Sequence, residues 1–247
     1  MRAWMTGLSW LLAGVFWIAS GDAGLSQDIS ISLGDDGSLA TRTIQIFVLV
    51  TVLSLVPGLA IMITCFPFIV TVLSILRQAI GLQQSPPNML IISLALFLTY
   101  FIMEPVFMEA WIKGAQPFSE GRMDIEPAFT AAIEPFRIFM ANRIDPDTFT
   151  HLATLREETV GVDLSNSSPL SLLVPSFLLS EVERAFQIGF LVFLPFLIID
   201  LVVAAILMSM GMMMVPPAIV SLPFKLAFFV VADGWTLISG ALVRSYF

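Results

Sequence analysis

Thiols, imidazoles and charges are all scarce in this chain. Cys65 is the only cysteine and His151 the only histidine among 247 residues. An internal disulfide framework, a CxxC redox pair and a multi-cysteine zinc site are therefore excluded. No HExxH or Glu-x-x-His spacing occurs either, so ligands for a zinc or di-iron centre do not converge and no cofactor or metal is expected. The 11 basic residues are scattered singly and the net charge is −8, whereas a phosphate-binding face needs clustered Lys and Arg, which excludes nucleic acid as a partner. Charged residues make up 12% of the chain, about half the fraction of an ordinary soluble domain. Too little polar surface remains to cover a water-soluble globule, and no constellation for catalysis is present, so the chain is not read as an enzyme.

What fills the space is apolar. Hydrophobic residues reach 57%, with 21 Phe and 13 Met, and the mean hydropathy is +0.93. The expected fold is all-α, an integral membrane protein with about four hydrophobic helices in two hairpins and a small helical extracytoplasmic insertion. Residues 1–23 read as a signal peptide: Arg2 supplies a positive start, Leu8 to Ile18 an apolar stretch too short to span, and Ala19, Ser20, Gly21 and Ala23 small residues for cleavage. Residues 24–43 read as a polar extracytoplasmic tail.

Residues 44–107 form the first expected hairpin. Ile44 to Leu76 contains 33 residues without a charge, which as one helix would run to about 50 Å, beyond a single bilayer. An interruption is required, and Pro57-Gly58 and Pro67 are the candidates; the break is either functional or an ordinary kink with a buried extension. A polar turn, Arg77 to Asn88, precedes the apolar run from Met89, where Glu104 is either a helix-end carboxylate or a lining group. Residues 108–184 carry 12 of the 19 acidic and 6 of the 11 basic residues, and read as a soluble helical insertion with helices near Ile133 to Ile144 and Phe149 to Leu155. His151 is a surface or packing residue there.

Residues 185–247 form the second hairpin, with one apolar stretch from Ala185 to Val215 and another from Ala218 to Val243. If the tail lies outside, an even number of spans returns the insertion and the carboxyl terminus to the outside, with only weak support from the placement of Arg and Lys. Asp200 and Lys225 are rare intramembrane charges. Counting 12 to 13 residues from each to a turn between Met212 and Met213 puts them at one depth, so an intramembrane ion pair is expected, acting as a lock of the hairpin or as a proton relay. A turn at Pro216-Pro217, the other marked break, would misalign the two. Met208, Met210, Met212, Met213 and Met214 place five methionines within seven residues around Gly211. Such soft side chains either close around objects of varied shape or fill a core. Asp200 and Asp233 lack a Gly-x-Gly-Asp signature and lie at different depths, against a protease dyad.

Several runs carry a resemblance. Leu73-Ser-Ile-Leu-Arg-Gln-Ala-Ile-Gly81, Gln83-Gln84-Ser85-Pro86-Pro87-Asn88, Phe177-Leu-Leu-Ser-Glu-Val-Glu183, Ala185-Phe-Gln-Ile-Gly-Phe190, Leu194-Pro-Phe-Leu-Ile-Ile-Asp-Leu-Val-Val203, Met208-Ser-Met-Gly-Met-Met-Met214, Ser221-Leu-Pro-Phe-Lys225 and Asp233-Gly-Trp235 together resemble the FliP family of type III export-gate proteins. The resemblance covers about residues 44–247, and the expected signal segment favours its flagellar branch over the injectisome branch. It implies several copies of the chain assembled with FliQ-like and FliR-like membrane subunits in the inner membrane at the flagellar basal body. Unfolded flagellar export substrates would pass through the centre, and Met210 to Met214 would be a gasket around the pore. It also implies that the helices sit largely above the bilayer in the assembled gate. A small-molecule or ion transporter using the broken helices and Asp200 is the alternative from another class, but inverted repeats are lacking. A purely structural membrane scaffold is a third.

Overall fold

The computed structural model describes residues 39–81 and 86–247, and every regular element among them is helical. The expected signal segment and most of the polar tail lie outside the described residues. The first helix, α1 (Leu39–Met62), begins within the stretch expected as tail. Its portion through Val52 forms one unit and Leu53–Phe247 a second, compact one.

The long uncharged run is divided, and not at Pro57-Gly58. Pro57 lies inside α1, which continues to Met62 before the chain turns and restarts as α2 (Phe66–Ile80). Pro67 dictates the position of this break: its ring would clash with the carbonyl four residues earlier, at Ile63, and it has no N–H to offer. Thr64 satisfies the turn, its hydroxyl donating to the Ile61 carbonyl at 2.8 Å and accepting from the Phe66 N–H at 3.3 Å. Pro67 then sits in the first turn of α2, where a missing donor costs nothing. Gly81, at φ +89°, closes α2 with its N–H on the Gln78 carbonyl at 3.0 Å. Only a residue at ease in the left-handed region ends a helix this way.

The short helix α2 is therefore not a span but the centre of the molecule. Phe68, Ile69, Val72, Leu73, Leu76, Ala79 and Ile80 are all buried, and burying each large one contributes roughly 2 kcal/mol. It packs against α3 (Asn88–Ala110) and α7 (Leu170–Ser209). Gly189 lets α7 come close, since a Cβ there would lie 2.4 Å from Ile75 Cδ1.

The helix α3 crosses the boundary expected at residue 107. A π-helical turn, Trp111–Ala115, and a short α4 (Gln116–Ser119) prolong it into an apolar rod of 32 residues, Asn88–Ser119. Then α5 (Ile125–Ala141) and α6 (Pro146–Thr154) make the insertion, followed by a 3₁₀ turn at Glu157–Thr159. The α5 helix starts earlier than the Ile133 expected, because Asp124 and Pro127 begin a helix that the apolar spacing alone does not mark.

The insertion does not form a separate domain. Its core of Met140, Ile144, Phe149 and Ala153 is completed by Leu172, Leu173 and Phe177 of α7. The α7 helix starts at Leu170, so its 40 residues, about 60 Å at 1.5 Å per residue, serve the insertion at one end and the apolar body at the other. The last expected span is also divided, into α8 (Pro217–Val231) and α9 (Gly234–Arg244), bent by 62°. Asp233 is at φ +48° in that elbow, and Gly234 is required because a Cβ would strike the Phe229 ring at 2.2 Å. Among the described residues three helices are long and apolar enough to cross a membrane, or four if the bent pair is one span.

Candidate functional site

The methionines lie on the turn joining α7 to α8. Local chemistry ends α7 sharply: Gly211 takes φ +76°, its N–H donates to the Met208 carbonyl at 3.1 Å, and the Met212 N–H reaches back to the Leu207 carbonyl at 2.9 Å. These two bonds are a Schellman motif, and the apolar contact that accompanies it falls to Met212 and Leu207, which line the same groove. Pro216 caps α8 and Pro217 opens it, so this pair starts a helix rather than breaking one. Met208, Met210, Met213 and Met214 are well exposed, Met214 at 97%, and Met212 is exposed on one side only, at 41%. Within the protomer they do not fill a core.

Below the turn the structure brings Asp200 and Lys225 together. Lys225 Nζ donates to Asp200 Oδ2 at 2.6 Å and to the Ala79 carbonyl at 3.1 Å, while Ser221 Oγ donates to Asp200 Oδ1 at 2.5 Å. Lys225 is 5% exposed. Its cation thus faces one carboxylate and one of the carbonyls at the C-terminus of α2, where the helix dipole also favours positive charge. Gly81 completes the cradle, with Lys225 Nζ at 3.8 Å from where its Cβ would be. The lock fastens three helices, α2, α7 and α8, where the sequence suggested two. Ala79 and Ser221 belong to runs carrying the family resemblance, but nothing in their spacing marks them as partners of a charge.

Between this lock and the turn, α7 and α8 enclose an apolar groove of about 490 Å³ bounded by Val203, Leu207, Met210, Met212, Val220 and Phe224. Its lining offers no polar group to orient a substrate. Asp233 is apart from the lock and accepts from Thr236 Oγ1 at 3.1 Å. Glu104 and His151 are exposed. Cys65 is buried, and desolvation pushes its thiol up to about 12, which leaves it unreactive at neutral pH.

A second charged cluster escaped the sequence reading. Glu181, fully buried, accepts from Arg143 Nε at 3.0 Å and from the Tyr246 hydroxyl, with Arg184 farther off at 3.9 Å. Arg143 also donates from Nη1 to the Ser245 carbonyl at 2.8 Å and lies 4.0 Å above the Tyr246 ring. Burial, with the Glu181 charge beside it, raises the Tyr246 phenol far above its ordinary value. The available signal was helical periodicity: Glu181 stands four residues from both Phe177 and Ala185, on the buried face of α7.

Comparison with known proteins gives one consistent result. The profile of the FliP family matches residues 49–242. The flagellar biosynthetic protein FliP of Caulobacter vibrioides is 49% identical over 221 residues, covering 88% of this chain and 82% of the relative. That of Agrobacterium fabrum is 49% identical over 212 residues, covering 85% and 86%. That of Bacillus subtilis is 43% identical over 225 residues, covering 90% of this chain and 100% of the relative.

Proposed function

Because the chain belongs to the FliP family of flagellar biosynthetic proteins, we propose that it is a core subunit of the flagellar type III export gate and that its methionine turn is the seal of the pore. Several copies, joined by FliQ-like and FliR-like membrane subunits, enclose a path across the inner membrane at the base of the flagellum. Unfolded flagellar proteins move through it. The observation that carries this reading is the pairing of a soft tip with a stiff mount. Five methionines are presented on a Schellman turn at the end of a 40-residue helix, and the charge lock beneath holds that turn in place.

A seal for unfolded chains has to exclude ions yet recognise no sequence. Methionine suits both demands, being flexible, unbranched and polarizable, and a dewetted apolar ring opposes ion passage. The apolar walls of the neighbouring groove offer a passing chain no hydrogen bonds to hold it. Catalytic groups are not needed for such a task.

The test has two parts. Deleting the protein should abolish external flagellin while flagellin persists in the cytoplasm; unchanged external flagellin overturns the proposal. A photo-crosslinker at Met213 should trap a stalled export substrate, whereas a scaffold role predicts adducts with neighbouring subunits only.

A further inference from the structure

Ser245 and Tyr246 complete a charge cluster whose other members are made long before them. Ser245 is 102 residues beyond Arg143, and Tyr246 is 65 beyond Glu181. Glu181 has no exposed surface, and a carboxylate in such a place is tolerated only when its oxygens are fully engaged. Arg143 serves Oε1 and the Tyr246 hydroxyl serves Oε2. Arg143 in turn needs the C-terminus, since the Ser245 carbonyl takes one of its N–H groups and the Tyr246 ring lies under its plane. That ring is itself seated between Phe68 of α2, edge-on at 5.5 Å, and Phe139 of α5, stacked at 6.0 Å. Phe247, by contrast, is 79% exposed, so the chain leaves the cluster directly after Tyr246.

From this geometry we propose that Ser245 and Tyr246 form a latch, which closes the corner between α5 and α6 onto α7 only once these two residues, far downstream of that corner, have been made. Before the latch docks, Arg143 and Glu181 form a two-member pair open to water, and the corner is held chiefly by the Asp145 N–H on Ser180 Oγ at 3.0 Å and by apolar contacts. Docking adds two hydrogen bonds and an aromatic lid, and removes the pair from solvent. The insertion is thereby made rigid by residues that begin 102 positions beyond its Arg143. This inference uses only the Arg143 cluster and stands whether or not the chain is an export-gate subunit.

Amide exchange on the purified full-length chain in mild detergent tests it, alongside three variants: one ending at Arg244, Tyr246→Phe, and one extended past Phe247 by a short Gly/Ser tail. Ending at Arg244 should speed exchange across residues 142–154 by roughly tenfold or more, while Phe66–Ile80 and the methionine turn exchange as before. Tyr246→Phe should give a smaller increase in the same residues, and the extended chain should match the parent. The proposal is overturned if the shortened chain protects residues 142–154 as well as the parent does, or if the extension loosens them. Should the shortened chain fail to accumulate, Tyr246→Phe decides: unchanged exchange across residues 142–154 refutes the latch.

Discussion

Asp200 Oδ2 and Lys225 Nζ meet at 2.6 Å, yet the two partners are unequally buried: the Lys225 side chain is 6% exposed and that of Asp200 32%. The asymmetry sets which loss is worse. Asp200→Ala leaves a buried ammonium with one carbonyl for company, a situation costing on the order of 3 to 5 kcal/mol when burial is complete. Lys225→Ala leaves a carboxylate that keeps the Ser221 hydroxyl and some access to water. We predict that assembled protein falls in the order Lys225→Ala, then Asp200→Ala, and that the double variant is less impaired than Asp200→Ala alone. Blotting assembled complex from membranes checks this, and a double variant worse than both singles refutes the pairing.

Replacing Met210, Met212, Met213 and Met214 by Ala should leave the protein folded and assembled. Met210, Met213 and Met214 are well exposed, so shortening each should move protomer stability by no more than about 0.5 kcal/mol, and the half-covered Met212 by about 1 kcal/mol. Conductance to small ions across membranes holding the complex should rise, and export should persist at least in part. Stable complexes with unchanged conductance would count against a sealing role, and loss of the protein would favour a packing one.

Acid should loosen the start of α6. Asp145 caps that helix by accepting from the Thr148 N–H at 2.9 Å, and this bond chiefly holds its carboxyl below the ordinary value. A depressed folded pKa contributes stability that is present above the unfolded value, near 4, and disappears as pH falls through the folded one. Exchange of the Thr148 amide should therefore accelerate below about pH 4 relative to the intrinsic acid dependence, and Asp145→Ala should abolish the step. An Asp145→Ala protein with the same acid profile contradicts it.

Two glycine substitutions should behave oppositely. A Cβ on Gly114 would meet the Ala128 carbonyl oxygen at 2.5 Å and the Ala132 Cβ at 2.5 Å, and neither can step aside without moving α5. Gly114→Ala should lower stability by about 1 to 3 kcal/mol. Gly58 has nothing within 4 Å and lies inside α1, so Gly58→Ala should be neutral or slightly favourable. Thermal unfolding in detergent distinguishes the two, and a damaging Gly58→Ala would restore a functional break at that position.

Composition and hydropathy were enough to make the chain an apolar helical membrane protein, because the burial of such residues does not depend on how they are arranged. The meeting of Asp200 with Lys225 was legible from their equal distance to the methionine turn. Other features needed the third dimension. The Ala79 carbonyl is available to Lys225 because α2 ends there, and a backbone acceptor leaves no trace in residue identity. Glu181 looked like one more charge of a solvated insertion until α7 proved to begin at Leu170 and carry it inward. Proline placement misled at Pro57, since an apolar helix tolerates one missing bond, and informed at Pro67, where Thr64 could close the turn.

The window of α1 from Thr43 to Met62 has none of its share buried inside the protein. An amphipathic helix has its rotation about the long axis fixed by its polar stripe, and the sequence of this one is apolar on every side. Residues 43–62 carry no charged side chain, so lipid is accommodated equally well on any side of that stretch.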